Sequence, residues 1–359
     1  MLRVSQPLNW GGRPVFLGGM PIVISPLFIN LTIPFTLMKL SLPLITACLF
    51  AVSVCMAQDP EYSFKEIYKV STPAQLSISS SDGNIEVLPS QGNAIEVFFQ
   101  VKKGNNVLKI SKAELSKELK LTIETTANSV AIDVEYPPST WTFGFNDRMR
   151  VNFRVLVPTQ TACDLRSSDG NIALSGVTAN QRCKTSDGDI RVSSIKGDVF
   201  GRTSDGNIHV TQVTGAIDMK TSDGNIRLEN IAGNATVGTS DGNISITKAK
   251  GEISTSTSDG DISFREIAGS FSGSTSDGNV KGDMIELQKS LTVRTSDGNI
   301  DISIPDHLGL DLDVKGESLH VPLTNFSGTS DEKVIRGKSN GGGIAVNLSS
   351  NGGVSLTYR

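Results

Sequence analysis

Nine copies of a short acidic motif carry most of the residues that could do chemistry. Asp169, Asp187, Asp205, Asp223, Asp241, Asp259 and Asp277 follow one another at intervals of 18, and Asp297 comes 20 residues later. Each sits in S-D-G-N/D-I/V, and an earlier copy is centred on Asp82. Carboxylates stacked one above another repel, and a cation would relieve that repulsion. Calcium favours such oxygen clusters, which makes Asp187, Asp205, Asp223, Asp241, Asp259 and Asp277 the candidate ligands. The chain lacks the G-G-x-G-x-D pattern of calcium-binding β-rolls. An Asp before Gly also has a sufficient task in accepting backbone amides within a turn, so the first reading assigns no metal.

General acid–base catalysis needs carboxylates in unlike surroundings, because neighbours must push their pKa values apart. Repetition gives each Asp nearly the same surroundings. The three histidines, His209, His307 and His320, match no metal-ligand spacing. There is no Ser-His-Asp arrangement, no phosphate-binding loop and no cofactor fingerprint. No catalytic residue and no cofactor is expected.

The aspartates imply elements that hold them in line. Counting from each Asp, apolar residues recur at +3 (Ile172, Ile190, Ile208, Ile226, Ile244, Ile262, Val280, Ile300) and at +5 (Leu174, Val192, Val210, Leu228, Ile246, Phe264). They recur again at +8 (Val177, Ile195, Val213, Ile231, Ala249, Ile267, Ile285) and at −6 (Cys163, Val199, Ile217, Ala235, Ile253, Phe271, Leu291, with Gln181 the exception). The +3/+5 and −6/−4 pairs have the period of two that marks short strands with one face inward. Gly170, Gly188, Gly206, Gly224, Gly242, Gly260, Gly278 and Gly298 supply one turn per unit, and Gly197, Gly215, Gly233, Gly251 and Gly269 supply a second.

One unit cannot bury its own inner face, but a stack of coils can. The fold class expected is therefore all-β, a single-chain β-solenoid with 18-residue coils. A meander or sandwich would normally vary its loop lengths. Handedness and cross-section are left open by the period. Eight motifs at one strand spacing span roughly 35 Å. An Asn ladder, including Asn207, Asn225 and Asn243, is expected to bond between coils beside the aspartates. Cys163 and Cys183 should both point inward, either as buried thiols or as a disulfide; their diagonal placement disfavours the bond.

Five segments are distinguished. Residues 14–57 are mostly apolar with Lys39 the only charge, and M-K-L-S-L-P-L-I-T-A-C begins at Met38. Residues 38–57 read as a signal peptide cut after Ala57. Residues 1–37 then read as an upstream extension, with a membrane anchor, weakened by Pro26 and Pro34, as the rival. Lipidation at Cys48 is a third reading. Residues 58–166 form a broad-stranded start or cap of the solenoid, or else a separate small sandwich, with S-K-A-E-L-S-K-E-L-K a short helix or a charged loop. Residues 167–300 are the regular coils. Residues 301–359 are degenerate repeats and a terminal cap, with T-S-D-E-K-V, S-N-G-G-G-I and S-S-N-G-G-V echoing the motif. Trp141, Phe143 and Phe145 are expected to cover an open end, a binding patch on a loop being the alternative.

Lys plus Arg is 33 and Asp plus Glu 37, a net charge of −4, so no basic surplus exists for nucleic acid. The Ser-Asp-Gly triads and intervening glycines, over most of residues 70–357, resemble bacterial envelope families of unknown function named as adhesins on prediction alone, many from Bacteroidetes. The resemblance implies an exported β-solenoid and no catalytic residues. The expected function is that of a non-enzymatic secreted or envelope protein, an adhesin or surface scaffold. A carbohydrate-binding or carbohydrate-cleaving β-helix and an end-to-end assembly module are the alternatives. The partner is unnamed by the sequence, a glycan or an envelope protein being the candidates.

Overall fold

Repeating turns and period-two strands stack into a parallel β-solenoid. A computed structural model describes residues 61–137 and 149–359. The segments 1–37 and 38–57, with Cys48 and Cys55, and the residues Trp141, Phe143 and Phe145 lie outside the described residues. Among the described residues no helix is long and apolar enough to cross a membrane.

One coil shows the construction. Ile208–Thr214 runs along one wall, the A wall, and Ile217–Lys220 returns along a second, the B wall. Thr221–Asn225 then turns into the next coil. Parallel pairing matches Ile208 with Ile226 and Ile217 with Ala235, one 18-residue repeat apart. Ile208, Val210, Val213, Ile217 and Met219 are each at most 2% exposed.

Strict alternation from +3 and +5 would put +7 inside and +8 outside. Residue +7 instead takes a left-handed backbone conformation: φ is 56° at Ser194, 54° at Gln212, 56° at Asn230, 57° at Lys248 and 55° at Glu266. This bend absorbs one residue and turns +8 inward, as a bulge does. The wall therefore bends before the second turn at Gly215 (φ 148°).

Size complementarity fills the interior. A Cβ on Gly201 would lie 2.3 Å from the Met219 sulfur, and one on Gly282 would lie 2.4 Å from the Phe264 ring. Phe264 and Phe271 face each other across the core with ring centroids 3.9 Å apart. Gln181 breaks the apolar ladder but is fully bonded. Its amide nitrogen donates to the carbonyls of Thr161 and Ala179, and its oxygen accepts from the Cys163 amide.

The Ser-Asp-Gly turns stack backbone on backbone. The amides of Ser204 and Asp205 both donate to the Ser186 carbonyl, at 2.8 and 2.9 Å. A Cβ on Gly224 would fall 1.9 Å from the Gly206 carbonyl oxygen, so no side chain fits there. The Thr two residues before each Asp from Asp187 to Asp297 is buried. The Thr221 hydroxyl lies 2.9 Å from the Ser204 carbonyl and 3.0 Å from that of Gly206, and accepts from the Gly224 amide. Thr185, Thr203, Thr239, Thr257, Thr275 and Thr295 make the same pair of contacts.

Several sequence expectations change here. The 20-residue step shifts register between Ile262–Ser274 and Val280–Arg294, pairing Ile267 with Met284. Met284 is buried and Ile285 is 48% exposed, the reverse of the expected +8 assignment. A one-residue slip exchanges the faces of a strand. T-S-D-E-K-V is not a coil turn; it closes an antiparallel hairpin, where Asp331 accepts from the amides of Lys333 and Val334. S-N-G-G-G-I precedes a B-wall strand, Ile344–Ser349, so it does not occupy the Ser-Asp-Gly turn. S-S-N-G-G-V does occupy that turn: the Asn351 amide donates to the Ser296 carbonyl, and Ile300 pairs with Val354. Lys112–Glu118 is a helix, started by a capping box between Ser111 and Glu114.

The chain does not stack in sequence order at either end. Ala74–Ser80 lies between Thr161–Arg166 and Ser129–Glu135, and Ile85–Ser90 lies between Ile172–Ser175 and Met149–Pro158. At the other end Ile344–Ser349 lies between Val280–Arg294 and Leu310–Lys315, and Gly353–Tyr358 between Ile300–Ile304 and Ser318–His320. In each case a coil near the end of the described chain is clamped one layer in. Antiparallel strands finish the stack, with Phe64–Lys69 and Lys120–Thr125 at one end and Ser327–Ser330 at the other. Residues 74–90 thus belong to the walls, and the described residues from Glu61 onward form one compact unit.

Thr221→Val should lower stability by about 1–3 kcal/mol, because it strands the Gly206 carbonyl and the Gly224 amide. Thr221→Ser should keep most of the loss from occurring, with denaturant unfolding as the readout. Native-state hydrogen exchange should find the amides of 74–80 and 353–358 slower than those of 64–69 and 327–330.

Candidate functional site

The positions singled out in the sequence fall into rows along the solenoid. Asp187, Asp205, Asp223, Asp241, Asp259 and Asp277 form an exposed line on the Ser-Asp-Gly edge. Among the described residues no three His, Cys, Asp or Glu side chains are grouped to hold a metal ion. The Asn row works between coils: the Asn207 side-chain oxygen accepts from the Asn225 amide at 3.0 Å, and that of Asn225 accepts from the Asn243 amide at 2.9 Å. Asp189 and Asp261 do the same for Asn207 and Asn279. Gly170, Gly188, Gly206, Gly242, Gly260, Gly278 and Gly298 have the close approach described for Gly224, with a Cβ 1.8 to 2.1 Å from the preceding glycine's carbonyl. His209, His307 and His320 are exposed and stand in separate elements.

Cys163 and Cys183 are buried free thiols. Cys163 pairs with Gln181, and Cys183 with Leu165, so the two are diagonal. One strand spacing and two residues of rise separate their Cα atoms by about 8 Å, beyond disulfide reach. Burial pushes the Cys163 thiol up, with a smaller contribution from Cys183. Burial, with the Asp164 charge second, pushes Cys183 up to about 12.

The outer face of the B wall carries the one grouping that sequence reading missed. Pairing places Asp164, Arg182, Phe200, Asp218 and Thr236 in one row, and Arg166, Lys184, Arg202, Lys220 and Gly238 in the next. The first row, with Lys220 from the second, lines a groove of about 860 Å³, within the size range of ligand pockets; Arg166, Lys184 and Arg202 stand beside it. Phe200 is half-buried at its centre. Its ring centroid is 4.0 Å from the Arg202 guanidinium carbon, 4.6 Å from that of Arg182 and 5.7 Å from the Lys184 nitrogen. Such contacts favour a cation over the aromatic face.

Two of the cations are committed. Arg202 donates to both Asp218 carboxylate oxygens at 2.8 Å and to the carbonyls of Gly201 and Asp218. Arg166 pairs with Asp164 at 2.8 Å. Exposed pairs of this kind contribute about 0–1 kcal/mol, so their main effect is to hold orientation. Beyond Thr236 and Gly238 the same rows continue as Ser254, Ser272, Ser256 and Ser274. The available signal was the break in composition: charged and aromatic residues at −5 and −3 give way to Ser, Thr and Gly.

Stability should fall as pH rises past about 9. The unfolded thiols ionise there while the buried ones stay protonated, so the folded state holds more protons. Denaturant unfolding from pH 7 to 10 should show a shallower fall for the Cys163→Ala/Cys183→Ala variant.

No curated protein matches the chain. A solved structure from Bacteroides fragilis, described as a "putative adhesin", is 15% identical, covering 67% of this chain and 96% of its own, with a TM-score of 0.38. Another from Clostridium sporogenes, described as a "putative cell adhesion protein", is 11% identical, covering 82% of this chain and 99% of its own, with a TM-score of 0.20. The Toastrack DUF4097 family matches residues 73–266 and again 254–356. The chain, a repetitive β-solenoid over that span, belongs to the Toastrack DUF4097 family, a domain family of unknown function.

Proposed function

We propose that this is an exported, non-enzymatic envelope protein that holds a ligand against its B wall, as a surface adhesin does. The observation that carries this reading is the groove around Phe200, where a flat Ser/Thr face gives way to one aromatic ring among fixed charges. Its floor is a hydrogen-bonded parallel sheet, so binding costs little ordering of the wall itself. The apolar stretch 38–57 supports export.

Carbohydrate cleavage is the weaker reading. A glycosidase needs one carboxyl group free to give a proton and another free to act as base or nucleophile. Around this groove the Asp198 carboxylate accepts from the Ala216 amide, and Asp218 is held by Arg202. End-to-end assembly is weaker too, since antiparallel strands cover both walls at one end and the B wall at the other, leaving the short strand Ser318–His320 as the parallel edge among the described residues.

The purified protein should capture specific ligands on an array of glycans and extracellular-matrix proteins. Capture should persist in a calcium chelator, because the exposed Asp row is not the binding surface. Loss on chelation would return the Asp row to consideration. Silence on every spot would count against ligand binding and favour a scaffold role.

A further inference from the structure

Two cations that line the groove, Arg182 and Lys220, and Lys184 beside it have no carboxylate partner among the described residues. All three are exposed, whereas Arg166 and Arg202 are paired. Arg182 is nevertheless held in place, its guanidinium 4.6 Å from the Phe200 centroid. A planar fork fixed against a ring presents its remaining donors to a planar anion, and carboxylate is the group that fits it in pairs. Lys220 stands two coils away and two residues along the same wall, about 10 Å from Arg182 measured along the solenoid axis at one strand spacing per coil.

The groove therefore has anion-binding points separated by two coils, an aromatic ring between them, and Asp164 and Asp218 as fixed acceptors beside the ring. We infer that it binds a linear acidic polysaccharide lying along the solenoid axis, with carboxylates on alternate sugars. This inference rests on the ligand-binding reading above and names its substrate class. The two-coil separation matches a disaccharide unit. Sugar C–H faces can pack on Phe200, and sugar hydroxyls can donate to the carboxylates. A nucleic acid fits less well: its dense phosphates would meet Asp164, Asp198 and Asp218 in the groove and the Asp row on the adjoining edge. A neutral glycan would leave Arg182 and Lys220 unused.

The test compares three probes against the purified protein by calorimetry. They are a hyaluronan octasaccharide, its carboxyl-reduced counterpart and a single-stranded oligothymidylate of similar length. The variants are Arg182→Thr, Lys220→Ser and the two combined, which install the residue types that later coils carry in these rows (Thr236, Ser256). Unfolding midpoints confirm that they fold. The octasaccharide should bind, weaken as salt is raised, and lose about tenfold in affinity or more in the double variant. Carboxyl reduction should abolish binding. Equal binding of the reduced form, unchanged affinity in the double variant, or preference for the oligothymidylate would each overturn the acidic-polysaccharide assignment. If the array still captures a neutral glycan or a protein, the broader ligand-binding reading survives that failure; if the array is silent too, both fall.

Discussion

Everything in this molecule depends on coils lying one strand spacing, about 4.8 Å, above one another. At that separation the backbone of each turn donates to the turn before it, so every turn must have the shape of its neighbour. The Ser186 carbonyl serves two amides of the next coil at once. Gly224 is required because the Gly206 carbonyl occupies the place of a side chain. Thr221 and Asn225 finish the accounting, one bonding inside the stack and the other along its edge. Buried backbone groups must be paired, and a stacked turn leaves few other ways to pair them.

The same spacing puts like side chains over like in the interior. Aliphatic ladders tolerate this, but bulky residues do not, and Met219, Phe264 and Phe271 each lie against a glycine in a neighbouring coil or on the same strand. The single insertion is accommodated differently. The 20-residue coil keeps its turns in line and places its disorder of register within the strand Val280–Arg294, exchanging Met284 for Ile285 in the core. Turn stacking is therefore the stiffer constraint, and wall register the softer one.

A stack of parallel strands ends in unpaired edges, which invite pairing with other chains. Here the chain turns back on itself at both ends. The coil at 74–90 and the coil at 344–358 are each covered by a neighbour formed from chain lying between them and the regular repeats. Antiparallel strands then cover both walls at one end and the B wall at the other. With the interior filled, the outer faces of the walls are left free to vary. On the B wall that freedom is used around Phe200, where ring, guanidinium groups and carboxylates replace Ser and Thr.

Sequence alone determined the coil length, the solenoid architecture, the inward residues of the regular coils and the glycine at each turn. That is because a one-dimensional repeat maps directly onto a one-dimensional stack. It did not reveal that Thr221 and its equivalents are buried, since a hydroxyl beside a turn reads as polar surface until its carbonyl partners in the previous coil are known. Nor could it place Ile285, because a register slip inside a strand leaves the period-two pattern locally plausible on either face. The tucked ends were decided by pairings between segments far apart in the chain, which local pattern does not encode. The groove was hidden for the same reason: Arg182, Phe200 and Asp218 are separated in sequence by whole coils, and only the stack makes them neighbours.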